Sequence, residues 1–140
     1  MTGLYALVGA LVLTAALAGW HRRSAGRMRR TRSVRADNRQ DLRPLIPGSG
    51  ERATLLQFSS AFCAPCRATK RILGEVAGVV PGVEHVEIDA ESNLDLVRRL
   101  GILKTPTTLV LDDQGKEVLR AAGQPSKAAV LQALGQAVPS

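Results

Sequence analysis

Cys63 and Cys66 are the only cysteines of the 140-residue chain, and they stand three apart in the run Phe62-Cys63-Ala64-Pro65-Cys66. Before them, residues 55–59 read as a short apolar strand; from about Cys63 onward the apolar side chains take helical spacing. A pair placed where a strand hands over to a helix sits among unpaired backbone N–H groups at the positive end of the helix dipole. The Cys63 thiol is therefore expected to ionise readily. The three-residue step brings Cys66 close to Cys63 within the first turn, so the sulfurs can bridge, and Pro65 costs no hydrogen bond in that turn. Four chemistries are open to such a pair: thiol–disulfide exchange, half of a zinc site, a static bridge, or two inert buried thiols. Zinc takes four ligands, and His21 and His85 are distant in sequence, so a closed zinc site needs a second chain. The strand-to-helix context favours redox exchange.

The elements that position the pair follow from the pattern around it. The helix carries Ile72, Leu73, Val76 and Ala77 on one face and is expected to end at Gly78 and Pro81. Residues 83–89 read as a second strand. Residues 92–95 have the capping-box form, with Leu94, Val97 and Leu100 following on one face up to Gly101. Residues 107–111 and 117–121 are rich in strand formers around the turn Asp112-Asp113-Gln114-Gly115, which makes a hairpin. Ser126 can cap a last helix with Val130, Leu131, Leu134 and Val138 inward. Strand, helix, strand, helix, strand, strand, helix implies an α/β fold, with a mixed sheet covered by helices on both faces.

The remaining third of the chain is of a different kind. Residues 4–20 hold no charge and at 1.5 Å per residue reach about 25 Å as a helix, enough for a membrane span. Tyr5 and Trp20 mark its ends, and Arg22, Arg23, Arg27, Arg29, Arg30, Arg32, Arg35 and Arg39 follow. An arginine run beside an apolar stretch reads as a topology signal reinforced by anionic headgroups, which places the following domain on the cytoplasmic side of a single-pass cell-membrane protein. Against this stands a cleaved signal peptide, since Ala16-Leu17-Ala18 has the small-x-small form of a cleavage site. Ala6, Ala10, Thr14 and Ala18 recur every four residues, a spacing that chance supplies in alanine-rich segments. From 33 to 50 the text is polar and broken by Pro44, Pro47 and Gly48-Ser49-Gly50, which reads as a flexible tether. The expected division is a transmembrane helix over 1–20, a basic juxtamembrane segment and linker over 21–50, and a folded domain over 51–140.

Charge and composition exclude a nucleic-acid module. Residues 1–49 hold nine Arg and two Asp, a net +7, while residues 50–140 hold ten basic and ten acidic residues and are neutral. The folded part thus lacks the basic face that tracks phosphates. Its aromatic platforms are missing too, since the chain's four aromatic residues are Tyr5, Trp20, Phe58 and Phe62.

At the Cys63-Ala64-Pro65-Cys66 motif, with Thr105-Pro106-Thr107 about 40 residues on, the hairpin at Gly115 and the terminal helix, the chain resembles the thioredoxin superfamily over residues 51–139. Alone, Pro106 could be an ordinary strand-start or turn proline. The resemblance implies that it follows a cis bond and packs beside the cysteine pair, and that Thr105 and Pro106 contact an extended substrate segment. It also implies an oxidoreductase that exchanges disulfides with protein substrates through Cys63 and Cys66, served by an unidentified electron donor or acceptor, with no metal or organic cofactor.

This sequence departs from the family's pattern around the site. Gln57 stands six residues before Cys63, where typical thioredoxins place a buried Asp, and His85 stands where they place a lysine on the next strand. Phe62 replaces the common Trp, and Ala64 the common Gly. A neutral amide cannot accept the proton of the resolving thiol, so Gln57 puts the usual relay in doubt. His85 either titrates in its place or is a strand histidine without a role in exchange. The family's early strand and first helix look trimmed. Three functional readings follow: a membrane-anchored oxidoreductase, an exported oxidant, isomerase or cytochrome-maturation protein, and a noncatalytic redox-sensing module.

Overall fold

A computed structural model describes residues 2–24, 26–30 and 41–138. Its elements in chain order are helix α1 (Thr2–Ser24), strand β1 (Arg29–Arg30), a 3-10 turn (Arg43–Leu45), β2 (Ala53–Ser59), α2 (Ala64–Val79), β3 (Val83–Asp89), α3 (Leu94–Arg99), β4 (Thr107–Leu111), β5 (Glu117–Ala122) and α4 (Lys127–Ala137). The strands form one sheet in the order β1-β5-β4-β2-β3. The β2–β3 pair is parallel; β2–β4, β4–β5 and β1–β5 are antiparallel. This is the expected mixed sheet.

Side chains alternate across β2, and the alternation divides the core. Leu55 packs with Leu73 and Val76 of α2 and Val130, Ala133 and Leu134 of α4 on one face. Leu56 and Phe58 pack with Leu100, Ile102, Leu109 and Leu111 on the other, where Leu96 and Val97 of α3 join them. Helices therefore cover both faces.

Several local expectations need correction. Helix α2 runs through Gly78 to Val79 before Val80 and Pro81 stop it. No capping box forms at α3: Asn93 is its N-cap, and the Ser92 hydroxyl instead donates to the Asp89 carboxylate. Leu131, expected inward, is exposed, and Leu94 is exposed although Leu100, expected on the same face, is buried. Ser126 does cap α4, accepting from the Ala129 N–H at 3.2 Å.

Two stretches of the expected juxtamembrane segment and linker over 21–50 carry structure. Leu42 and Ile46 are buried in the second core face around the 3-10 turn, and the Leu42 N–H donates to the Gly115 carbonyl. Residues 26–30 lie along β5: Arg29 and Arg30 pair with Arg120 and Leu119, the Gly26 N–H donates to the Ala122 carbonyl at 2.9 Å, and Met28 packs on the first core face. The early strand is thus short and borders β5. No strand lies beyond β3 among the described residues. Arg32, Arg35 and Arg39 fall outside them.

Helix α1 extends four residues past Trp20. Gly3–His21 is the stretch long and apolar enough for a membrane span or a signal sequence, and none of it is buried against the rest of the chain.

Candidate functional site

The sheet's β2 strand ends at Ser59, and the chain turns through residues 60–62 into α2. Phe62 makes that turn with φ +58°, a left-handed backbone that a bulky side chain rarely adopts, and its ring is fully exposed. Cys63 is the N-cap of α2. Its sulfur accepts from the Cys66 N–H at 3.2 Å, and its carbonyl accepts from the N–H groups of Cys66 and Arg67. Ala64 and Pro65 occupy the first turn, where a proline leaves no donor wanting. Cys63 and Cys66 are joined by a disulfide with S–S 2.05 Å and Cα–Cα 5.2 Å. Cys66 is buried, 3% exposed, whereas Cys63 is partly exposed, so an approaching sulfur meets Cys63.

Pro106 stands at the start of β4 at the same end of the sheet, and the Thr105–Pro106 bond is cis, as expected. Thr105 is tied to the cysteine loop: its hydroxyl and that of Ser60 are hydrogen-bonded at 2.8 Å. The Pro106 carbonyl accepts from Gly123 just past β5, at 2.7 Å. Leu103, three residues before Pro106, is 95% exposed.

Beneath Cys66 lies a polar chain built on Gln57, which is fully buried. Its amide nitrogen donates to the Cys66 carbonyl and to the Ser59 hydroxyl, both at 2.9 Å. Both amide hydrogens are then spent, so Oε1 accepts, and His85 Nε2 at 3.0 Å must carry the hydrogen. The Ser59 hydroxyl in turn donates to Glu87 at 2.8 Å, and the Lys70 ammonium meets the same carboxylate at 2.6 Å. Burial pushes the His85 imidazole below its ordinary range, against the pull of the Glu87 carboxylate and aided by the Lys70 charge. Burial alone would raise the Glu87 carboxyl, but the hydrogen bonds from Lys70 and Ser59 outweigh it and hold it below the usual carboxylate range.

The structure therefore gathers Cys63, Cys66, Phe62, Ala64, Pro65, Thr105 and Pro106 at one end of the sheet, with Gln57 and His85 bonded to each other behind the pair. Sequence reasoning misses Ser59, Ser60, Lys70 and Glu87. A signal for Ser59 and Glu87 exists in the period of two, because they share strands and faces with Gln57 and His85, and Gln57 and Glu87 are register partners. Among the described residues no three His, Cys, Asp or Glu side chains come together as a metal site.

Residues 44–138 match a family model described as a thioredoxin-like domain. The thioredoxin of Mycobacterium tuberculosis is 28% identical over 93 residues, which span 66% of this chain and 79% of the relative. Among solved structures, a chloroplastic thioredoxin z is similar with 32% identity and a TM-score of 0.56 over 61% of this chain and 78% of its own. Fasciola hepatica thioredoxin is similar with 25% identity and a TM-score of 0.58, over 69% and 90% respectively.

Proposed function

Because the chain belongs to the thioredoxin-like domain family, we propose that it is a thiol–disulfide oxidoreductase held at a membrane by α1, with Cys63 as the attacking sulfur and Cys66 as the resolving one. The carrying observation is the asymmetry of the pair: Cys63 is partly open at the N-cap of α2, and Cys66 is buried behind it. In the reduced form the Cys63 thiolate attacks one sulfur of a partner disulfide, forming a mixed disulfide and releasing the other partner sulfur as a thiolate. Cys66, as thiolate, then attacks Cys63, which breaks the mixed bond, frees the second partner thiolate and closes the 63–66 bridge. Two electrons pass to the partner, and the thiolates take protons from solvent. A dithiol donor returns the pair to its reduced form by the reverse steps. Thr105 and Pro106, joined to the cysteine loop through Ser60, would flank the partner's backbone.

Disulfide reduction in an insulin assay by the full chain in detergent tests this reading; Cys63→Ser should abolish turnover. Residues 51–140 alone are a poor test object, because they omit Leu42, Ile46 and Met28, which pack into the two core faces. An oxidisable bridge without any turnover would instead favour the redox-sensing module, a reading that rests on the neutral Gln57 behind the pair.

The arginines following α1 support a cytoplasmic placement, where a reductive direction is expected. A reporter fused to the carboxyl terminus should read cytoplasmic. The small-x-small run Ala16-Leu17-Ala18 supports the competing export, with an oxidant, isomerase or cytochrome-maturation role; an extracytoplasmic reporter signal or loss of the first 18 residues would select it.

A further inference from the structure

The strand that follows α1 joins the sheet at the end that carries the cysteines. β5 runs from Glu117 toward Ala122, and Ala122 is the register partner of Thr107, the residue after Pro106. Gly26 bonds to that same Ala122. At a strand spacing of about 4.8 Å, Gly26 lies within about 10 Å of Thr107. The Ser60–Thr105 hydrogen bond then links this corner to the cysteine loop.

The connection to the apolar helix is equally short. From His21, the last residue of the apolar stretch, α1 continues to Ser24 at 1.5 Å per residue, and two further residues reach Gly26. The whole path is at most about 12 Å, comparable to the headgroup layer. In the sequence a single residue, Ala25, separates α1 from Gly26. Gly26 is itself held: its φ is +80°, and a Cβ there would collide with the Gln124 carbonyl, so this backbone packs directly on the chain beyond β5. Arg27, Arg29 and Arg30 are exposed beside the junction, where anionic headgroups would bind them. The hairpin at residues 112–115 lies at the opposite end of the sheet, roughly 20 Å farther along the strands. At the cysteine end, Phe62 and Leu103 present fully exposed apolar side chains.

We propose that the redox site works at the bilayer surface, exchanging with cysteine pairs that a membrane-embedded protein presents at the lipid–water boundary. The proposal rests on α1 being a retained membrane anchor. It replaces a domain free on a long tether by one whose reactive end is fixed next to the membrane, with Phe62 and Leu103 available to an apolar segment at that boundary.

Two measurements on the full chain in phosphatidylcholine–phosphatidylglycerol vesicles test it. A fluorophore on Cys63 of Cys66→Ser should be quenched by headgroup-nitroxide lipid at least about threefold more than one on Gln114→Cys in a Cys63→Ser/Cys66→Ser background. Equal quenching, or stronger quenching at 114, overturns the proposal. The wild-type chain should reduce a lipid-anchored disulfide peptide on a spacer of about 5 Å at least as fast as one on a spacer of about 40 Å. A fivefold or greater preference for the long spacer overturns it. Flotation separates the two failures: protein that does not float with the vesicles removes the anchor and the proposal together, whereas floating protein with the wrong quenching order removes the proposal alone.

Discussion

The side-chain amide of Gln57 accepts from Nε2 of His85 at 3.0 Å while donating to the Cys66 carbonyl at 2.9 Å, so an imidazole on β3 orients the amide that holds the backbone of a redox cysteine. The hydrogen on Nε2 is fixed by this arrangement, which leaves Nδ1 as the basic nitrogen. A buried glutamine is tolerated because each of its three polar positions is satisfied.

Gln57→Leu keeps the volume but removes the acceptor of the buried His85 N–H and the amide donor shared by the Cys66 carbonyl and the Ser59 hydroxyl, of which Ser59 keeps its bond to Glu87. Unpaired buried groups cost about 1–3 kcal/mol, so urea unfolding should show a loss of that order. Gln57→Glu, which loses both amide donors and buries a carboxylate against the Cys66 carbonyl, should lose at least as much. Equal stability of wild type and the Leu variant would contradict the bonding described.

His85 makes stability depend on pH in a defined direction. Its pKa is lowered in the fold, so the unfolded chain binds the proton more readily, and stability present above about pH 6.5 is lost as pH falls through the folded value. The Glu87 carboxyl, also lowered, adds a second loss below about pH 4.5. Thermal midpoints of wild type minus His85→Gln, followed from pH 8 to 5, should fall with acidity; a flat difference would show that burial of the ring is not felt.

Alkylation of the reduced chain should modify Cys63 at least about tenfold faster than Cys66 at neutral pH, since one sulfur is reachable at a helix N-cap and the other is 3% exposed. Mass spectrometry of the tryptic peptide after short exposure reads the order. Comparable labelling of both would contradict the assignment of attacking and resolving roles.

Gly26→Ala should detach the first strand. The substitution places a Cβ against the Gln124 carbonyl at a positive φ, a cost of about 1–2 kcal/mol from the backbone alone. Faster hydrogen exchange at Arg29 and Arg30, with the amides of β2 unchanged, is the expected signature. Uniform slowing or no change would mean that the strand does not depend on this glycine.

Much of the fold is legible in the sequence because the signals are local. The bounds of β3 and β4 coincide with runs of strand formers closed by Pro81-Gly82, Pro106 and the Asp112–Gly115 turn, and the cysteine pair announces its place between strand and helix. What is not legible depends on contacts across the chain. Nothing in Arg29-Arg30 favours a strand; β5 imposes it by offering a free edge. Leu42 and Ile46 flank Pro44 without any periodicity, and only the second core face makes them core residues. Ser92 has the form of a cap, yet Asp89 outcompetes the helix for its hydroxyl. At the site, the spacing identifies the cysteines, while the role of Gln57 as a junction between His85, Ser59 and Cys66 emerges only when β2 and β3 lie side by side.

Strand β3 borders the sheet with no neighbour outside it among the described residues, and a bare border of this kind invites another polypeptide to zip on. Its sequence discourages such growth: along seven residues Glu84 on one face and Glu87 and Asp89 on the other are all exposed. Charged side chains on both faces of a border strand disfavour the docking of a further strand, so the sheet ends at β3 rather than growing into neighbouring copies.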